Sequence, residues 1–293
     1  MRVLHLDSGR EMRGGQWQAL RLIEGLAASG VQSTLLARSD APLFDMARKR
    51  GLRVEPVGLT RVALHSRRHN LVHAHDARSH TLAVLAAGAP LVVSRRVAFP
   101  LKSLWKYARP RRFLAVSEFV RGVLMAGGIT AEKIDVVYDG VPLLEPAAGD
   151  TIVAPANAAD PEKGASLARE AARLAGVELL FSTDLERDLR HAGLLVYVTH
   201  CEGLGSGVLL AMSAGVPVIA SNVGGLREVV RHGESGLLAE NTPESIAAAI
   251  NALRGDPELA HRMGEAARQA VRDRFTVECM VSHTMEVYRR VLA

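Results

Sequence analysis

The chain has 293 residues, of which 48% are hydrophobic, 23% are charged and 4% are aromatic. This length provides for two domains of ordinary size, each with its own core, and the composition is globular rather than fibrous or low in complexity. The formal net charge of +5 gives no reason to predict a specific nucleic-acid partner, and the two cysteines have no spacing typical of a metal site or a disulfide framework.

No membrane-spanning segment is predicted, since no apolar run approaches the ~20 residues that a spanning helix needs. Asp7 comes too early for the apolar core of a signal peptide, so we expect a cytoplasmic protein. Much of the excess positive charge is local, at Arg67 and Arg68 and within residues 95–112, where aromatic side chains lie between the basic ones. This region is a candidate for peripheral contact with an anionic membrane or a phosphorylated acceptor; a solvated basic face explains it equally well.

The first half of the chain alternates predicted strands and amphipathic helices. An apolar strand over residues 2–6 leads into a helix that Gly14 and Gly15 open. Paired glycines at this place let a ligand approach the backbone closely, or they form a plain helix-start turn. A strand at 31–38, a helix at 42–49 and a short strand within 52–59 follow.

A buried strand then ends in the sequence His73-Ala74-His75-Asp76, and a helix follows. Alternation along a strand places both histidines on one side, with His73 deeper, so His75 and Asp76 are the candidates to face a ligand at the sheet edge. A structural role for the histidines is the alternative. Zinc is disfavoured, because the spacing is not that of a helical pair and no third ligand is evident.

The next strand ends at Arg95 and Arg96, which suit phosphate or carboxylate recognition and are acceptor-side candidates. Residues 142–149 are rich in proline and glycine, which is typical of a linker. We therefore predict an N-terminal domain at 1–145, a second domain at 146–275 and a terminal helix at 276–293.

Residues 194–230 contain the most informative pattern of the chain. The apolar run LLVYV predicts a buried strand; the glycine-rich CEGLGSG follows, then a helix at about 206–213 and a second strand, VPVIAS. In such a strand, turn and helix unit the N–H groups of the helix start bind anions. Glu202, just before the turn, is placed to accept hydrogen bonds from ligand hydroxyls.

These residues resemble the donor-site signature of retaining GT-B glycosyltransferases, the group 1 or family four enzymes. The resemblance rests on four segments: 202–205, 210–221, 224–228 and 236–238. It implies an α/β fold of two Rossmann-like domains with a cleft between them, the C-terminal one abbreviated, and a last helix that packs back on the N-terminal domain. The donor would be a nucleotide-diphosphate sugar.

The resemblance also implies residue roles. Glu202 and His75 would contact the transferred sugar as the catalytic pair. The donor-binding positions would be Gly14, Gly15, Lys163, Gly203, Leu204, Gly205, Ser206 and Gly207. The chain has no Asp-x-Asp sequence, so we expect neither a metal nor another cofactor.

Two positions depart from the family pattern. Leu210 stands where a second glutamate usually contacts the ribose, and Ala158 stands where an arginine usually neutralises the donor pyrophosphate. Two functions therefore stay open: a retaining transferase acting on a sugar, lipid or lipopolysaccharide acceptor of the cell envelope, and a non-catalytic nucleotide-sugar-binding or partner protein. A nicotinamide-dinucleotide turn is disfavoured, because Val208 occupies the position of the third glycine.

Overall fold

The computed structural model describes residues 1–101, 104–156 and 164–293; Ala158 and Lys163 lie outside the described residues. The chain divides into two compact units. Unit 1 comprises Met1–Gly140 and Val277–Ala293, and unit 2 comprises Val141–Thr276.

Seven parallel strands form the sheet of unit 1. They are β1 (Arg2–Asp7), β2 (Gln32–Ala37), β3 (Val54–Pro56), β4 (Leu71–Ala74), β5 (Leu91–Arg95), β6 (Arg112–Ala115) and β7 (Ile134–Val136). Their spatial order is β3-β2-β1-β4-β5-β6-β7, so the chain first moves outward from β1 and then returns to its other side with β4. Open α/β sheets bind ligands outside the carboxyl ends of the strands at such a switch point.

Among the described residues, five α-helices connect these strands: α1 (Gly14–Ala28), α2 (Pro42–Lys49), α3 (Leu59–Ser66), α4 (Ala77–Ala86) and α5 (Glu118–Ala126). Short 3-10 helices lie at Trp105–Tyr107 and Ala131–Lys133. Helix α3 was not predicted. It buries only three of its eight residues, among them His65 and Ser66, so the sequence carries no apolar stripe that would reveal it.

Five parallel strands form the sheet of unit 2. They are β8 (Thr151–Pro155), β9 (Leu180–Ser182), β10 (Ala192–Tyr197), β11 (Val218–Ser221) and β12 (Leu237–Ala239). Their order, β12-β11-β10-β8-β9, again reverses beside the first strand of the unit, which places a switch point between β8 and β10.

The α-helices described in unit 2 are α6 (Ala165–Ala175), α7 (Leu185–Asp188), α8 (Ser206–Ser213), α9 (Leu226–Val229), α10 (Pro243–Gly255) and α11 (Pro257–Arg274), and a 3-10 helix spans Leu189–His191. One core cluster joins the sheet to α6, α10 and α11, and includes Val196, Ile219, Ile250 and Met263. Burial of these apolar side chains is the main stabilising term for the unit.

The last helix, α12 (Val277–Leu292), packs in the core of unit 1. Its Met280, Val281 and Tyr288 share a cluster with Val3 of β1 and Leu71 of β4. Among the described residues, no helix is both long enough and apolar enough to cross a membrane.

Two helical glycines differ in the space around them, which gives a test of the packing in unit 2. A Cβ on Gly264 of α11 would lie 2.1 Å from the carbonyl oxygen of Gly215, whereas a Cβ on Gly122 of α5 meets nothing within 4 Å. We expect Gly264→Ala to lower the free energy of unfolding by roughly 1–3 kcal/mol through overpacking. Gly122→Ala should raise it by roughly 0.5–1 kcal/mol, because alanine loses less backbone entropy on folding. Urea unfolding followed by circular dichroism measures both, and equal effects of the two substitutions would contradict the described packing.

Candidate active site

The loop between β10 and α8 lies at the switch point of the unit 2 sheet and carries Glu202. The hydroxyl of Tyr197, the last residue of β10, donates a hydrogen bond to Glu202 Oε2 at 2.7 Å. The backbone N–H of Gly203 donates to the other carboxylate oxygen at 3.0 Å. Since Tyr197 is 8% exposed and belongs to the strand, this pair of bonds fixes the carboxylate relative to the sheet.

Helix α8 begins directly after this turn. Its N-cap residue, Gly205, has φ 100°, a left-handed conformation that favours glycine, and a Cβ there would lie 2.5 Å from Leu226 Cδ2. In the part of the chain that the structure describes, no side chain caps the helix start, and Ser206 and Gly207 are half-buried. The N–H groups of the first turn therefore form the partly positive helix terminus that suits a phosphate.

Neighbouring loops support the Glu202 turn from two sides. The N–H of Gly225 donates to the Glu202 carbonyl at 3.1 Å, and a Cβ on Gly225 would lie 2.0 Å from the carbonyl oxygen of Gly203. Ser221 Oγ accepts from the N–H of Thr199 at 2.9 Å and donates to Asn241 Oδ1 at 2.6 Å. The amide of Asn241 in turn donates to the Thr199 carbonyl at 3.0 Å, which closes a network that ties the ends of β10, β11 and β12 together.

The other residues predicted for this edge fall into two groups. Leu204 is 2% exposed, so its side chain is part of the core while its backbone lies in the turn. Leu210 is half-buried on α8. Lys163, the predicted cation beside the donor phosphates, lies outside the described residues.

Three histidine side chains meet at the switch point of unit 1. His5 of β1 lies opposite His73 of β4 in the strand register, and His75 follows β4. The ring centroid of His75 is 4.1 Å from that of His73 and 5.3 Å from that of His5. Burial lowers the pKa of all three imidazoles, that of His5 to about 3, so the rings are neutral at physiological pH.

No third candidate ligand beside His73 and His75 is evident in the sequence, but the fold brings His5 to them. One nitrogen atom from each of His5, His73 and His75 lies within 4.8 Å of the others. Every ring nitrogen, however, already has a hydrogen-bond partner: His5 Nδ1 with His75 Nε2 (3.0 Å), His5 Nε2 with Ser33 Oγ (3.3 Å), His73 Nδ1 with Tyr288 Oη (2.6 Å), His73 Nε2 with Ser94 Oγ (2.8 Å), and His75 Nδ1 with Arg96 Nη1 (3.4 Å). A divalent cation would have to displace these partners beside a guanidinium, so the geometry favours a hydrogen-bond network over a metal site.

Arg95 and Arg96 follow each other in sequence but have different contacts. Arg96 donates from Nε to Asp139 Oδ1 at 3.0 Å and from Nη1 to His75, and its Cδ lies 3.9 Å from where a Cβ of Gly15 would be. Arg95 donates to the carbonyl of Phe99 at 2.5 Å and lies 3.4 Å from the hydroxyl of Tyr107. The structure thus brings Arg96, His75 and Gly15 together, and it gives Arg95 a contact within its own loop.

Asp76 is the N-cap of α4. Its carboxylate accepts hydrogen bonds from the N–H groups of Arg78 and Ser79. It also accepts from the N–H of Ser8 at 2.7 Å and from the Ser8 hydroxyl at 2.8 Å, which ties the loop after β1 to the start of α4. Asp76 therefore has a structural role in unit 1 that does not depend on a ligand.

Asp7, at the end of β1, is a buried carboxyl that the sequence analysis did not select. It accepts hydrogen bonds from the N–H of Gly9 at 2.8 Å and from the Gln16 amide at 3.1 Å. Burial, followed by the charge of Asp76, raises its pKa from the usual 3.8 to about 6. A carboxyl with a raised pKa at a sheet edge is typical of functional sites. The sequence contains a pattern that could have identified Asp7. In β1, His5 and Asp7 alternate with apolar residues, and His73 and His75 show the same alternation in and after β4.

The chain forms two Rossmann-like domains, because each of its two parallel sheets has a switch point beside its first strand. Solved structures similar to it have the GT-B fold. HepE from Anabaena, in a crystal structure with UDP and glucose, superposes with a TM-score of 0.86 at 18% identity over 99% of each chain. The sucrose-phosphate synthase of Thermosynechococcus elongatus gives 0.78 at 17% identity, covering 99% of this chain and 98% of that one. At these identities the likeness concerns the fold, and the predicted fold class is confirmed.

Two family models match the sequence and together cover most of it. "Glycosyltransferase Family 4" matches residues 12–144, and "Glycosyl transferases group 1" matches residues 162–270. The chain belongs to the group 1, or family four, glycosyltransferases, which confirms the family predicted from the sequence.

Curated relatives match a shorter segment. N-acetyl-alpha-D-glucosaminyl L-malate synthase of Bacillus anthracis is 39% identical over 106 residues, 36% of this chain and 28% of that protein. Glycogen synthase of Mycobacterium tuberculosis is 36% identical over 107 residues, 36% of this chain and 26% of that protein. The matches thus span less than a third of either relative.

The raised pKa of Asp7 predicts a pH-dependent stability. The folded protein binds the Asp7 proton more tightly than the unfolded chain does, so the free energy of unfolding should fall as pH rises from about 4 to about 6. We expect Asp7→Asn to keep the hydrogen bond from Gly9, to stabilise the protein by roughly 1–3 kcal/mol at pH 7, and to change little at pH 4. Denaturant unfolding at both pH values measures this effect. Asp45→Asn, at an exposed position of α2, is the control for a change of charge, and an Asp7→Asn effect that is equal at both pH values would contradict the prediction.

Proposed function

We propose that this protein transfers a sugar from a nucleotide-diphosphate sugar to an acceptor hydroxyl with retention of the anomeric configuration. The observation that carries the proposal is the turn after β10. There a carboxylate oriented by Tyr197 lies directly before a helix start that no described side chain caps. Family membership supports the same reaction class.

In the proposed reaction the backbone N–H groups of Ser206, Gly207 and Val208 bind the donor diphosphate. The bond between the anomeric carbon and the phosphate oxygen breaks, and the acceptor oxygen bonds to that carbon on the same face. The acceptor proton passes to the departing phosphate oxygen, and a nucleoside diphosphate leaves. Helix-terminal N–H groups stabilise the negative charge that develops on this leaving group.

The carboxylate of Glu202 is proposed to accept hydrogen bonds from the hydroxyls of the transferred sugar. A carboxylate is an acceptor only and therefore recognises donor groups such as sugar hydroxyls. A crystal structure of HepE contains UDP-glucose, which supports a nucleotide sugar as the donor here. We propose that no resident metal is required, since the chain lacks an Asp-x-Asp sequence.

The carboxyl edge of the unit 1 sheet is proposed as the acceptor side. Gly14 and Gly15 open α1 there and are proposed to lie beside the donor phosphates, and His75, after β4, is proposed to contact the transferred sugar. Arg96 follows β5. The guanidinium and the N–H groups of α1 suit an acceptor that carries phosphate or carboxylate groups. We propose a cell-envelope glycolipid or lipopolysaccharide acceptor, handled on the cytoplasmic side.

Leu210 favours a second candidate function. In place of the glutamate that the family uses for the ribose, the half-buried Leu210 on α8 offers no hydrogen-bond acceptor from its side chain. A protein that binds nucleotide sugars without turnover is therefore the alternative to a transferase.

Glu202→Gln tests the transferase. We expect roughly a 100- to 1,000-fold loss of transfer or donor-hydrolysis rate, because the amide no longer offers a charged acceptor to the sugar in the transition state. The measurement is release of nucleoside diphosphate from UDP-, GDP- and ADP-sugars, beside calorimetric binding of the same donors. Glu234→Gln, an exposed glutamate paired with Arg231, is the matched control and should keep full activity.

Two results would change the assignment. An unchanged rate in Glu202→Gln removes this carboxylate from the mechanism. Donor binding without turnover across a broad panel of acceptors favours the binding protein.

Residues 95–112 are proposed to contact an anionic membrane surface, but the structure changes which side chains would do so. Arg109 donates to the carbonyls of Val84 and Ala87, and Arg112 donates to the carbonyl of Glu132. These guanidinium groups hold the fold of unit 1. The exposed apolar side chains of the segment are Val97, Phe99, Leu104 and Trp105, the last of which is 55% exposed. Aromatic and aliphatic side chains of this kind insert at a membrane interface.

Trp105→Ala tests this contact. We expect the wild-type protein to co-sediment with vesicles that contain anionic lipid and the variant to bind several-fold less, because the exposed indole supplies the interfacial burial. Leu174→Ala, an exposed apolar residue on α6 of unit 2, is the control and should leave sedimentation unchanged. Failure of the wild-type protein to bind such vesicles would contradict the proposal.

A further inference from the structure

The buried histidines of unit 1 form a chain of hydrogen bonds that begins at an arginine. Arg96 Nη1 lies 3.4 Å from His75 Nδ1, and His75 Nε2 lies 3.0 Å from His5 Nδ1. His5 Nε2 then lies 3.3 Å from the hydroxyl oxygen of Ser33. Four side chains from four different strands or strand ends are thus connected in one line.

The first member of this chain sets the direction of all the bonds. A guanidinium carries N–H groups only and cannot accept, so the His75 Nδ1 that faces Arg96 must be the unprotonated, accepting nitrogen. Because the buried ring is neutral, its proton then lies on Nε2 and is donated to His5 Nδ1. The same reasoning places the proton of His5 on Nε2, toward Ser33. The contacts therefore select one tautomer for each ring.

Asp139 holds the arginine that starts the chain. The residue lies just beyond β7, two strands away from β5, and its Oδ1 accepts from Arg96 Nε at 3.0 Å. The side chains of Arg96 and Asp139 are 11% and 9% exposed. The loss of one partner of such a desolvated pair leaves the other charge uncompensated and free to reorient.

We propose that Asp139 is a positioning residue that, through Arg96, fixes the tautomer and the ring orientation of His75. The kinetic consequence rests on the proposed function, in which His75 contacts the transferred sugar. The tautomer itself follows from the contacts within unit 1 and is independent of any activity.

Asp139→Asn tests the proposal by NMR of protein carrying ¹⁵N-labelled histidine. In the wild-type protein we expect His75 to show a protonated Nε2 and an unprotonated Nδ1. In Asp139→Asn the Nδ1-protonated form should appear, because Arg96 no longer has a charged partner to hold it against the ring. In a transfer assay we expect kcat to fall about 10- to 100-fold with KM little changed, as is common for groups that orient a contacting residue.

Asp135→Asn is the matched control. Asp135 belongs to β7 and pairs with Arg290 at 2.5 Å and with Arg112 at 3.8 Å, and it makes no described contact with the histidine chain. This variant should leave the His75 spectrum and the transfer rate unchanged.

Three outcomes overturn the proposal: a wild-type His75 protonated on Nδ1, an unchanged His75 tautomer in folded Asp139→Asn, or the same spectral change in Asp135→Asn. The first needs no variant, so it can overturn the proposal even if Asp139→Asn fails to fold. Absence of turnover in the wild-type protein, with the expected tautomer present, would contradict the proposed function and leave the assignment of the network intact.

Discussion

Parallel pairing throughout both sheets is the constraint on which the candidate sites depend. Because all strands of a unit run in one direction, every strand delivers its next residue to the same edge. The strand order reverses between β1 and β4 and between β8 and β10. At each of these places the loops that follow the two adjacent strands lead in opposite directions, which leaves room for side chains and ligands. Glu202 in unit 2, and Asp7, His75 and Arg96 in unit 1, all follow from this arrangement rather than from contacts between neighbours in sequence.

The carboxyl edges of the two sheets offer different chemical groups to a ligand. In unit 2 the proposed ligand-binding groups are mainly backbone N–H groups, and the sequence supports them with glycines where a Cβ would collide, as at Gly205 and Gly225. In unit 1 side chains make up more of the proposed site: the neutral imidazole of His75 and the ion pair of Arg96 with Asp139 lie there beside the N–H groups of α1. Backbone sites are rigid and tolerate little change of shape. A side-chain network can be altered one hydrogen bond at a time.

The sequence predicted best where one short segment contains all the determinants. The strand, turn and helix from β10 to α8 were predicted because the apolar run, the glycines and the helix stop lie within about 20 residues, and helix α8 has the predicted bounds, 206–213. Prediction failed where partners lie far apart along the chain. His5 meets His75 across 70 positions, and Arg96 meets Asp139 across 43. No local pattern marks such pairs, since their meeting depends on the order of the strands.

Buried polar groups of unit 1 have an energetic cost that apolar packing elsewhere must offset. Imidazoles kept neutral, and a carboxyl whose pKa rises to about 6, are groups for which burial disfavours the charged form. The three histidines are tolerated because each of their ring nitrogens has a hydrogen-bond partner. For His73 Nδ1 that partner is the hydroxyl of Tyr288 on α12, which packs in the same core as β1 and β4. The last helix of the chain thereby completes both the apolar core and the polar network of unit 1. A change at its Tyr288 would reach His73, whose ring lies 4.1 Å from that of His75 at a tilt of 41°, without touching the sheet edge itself.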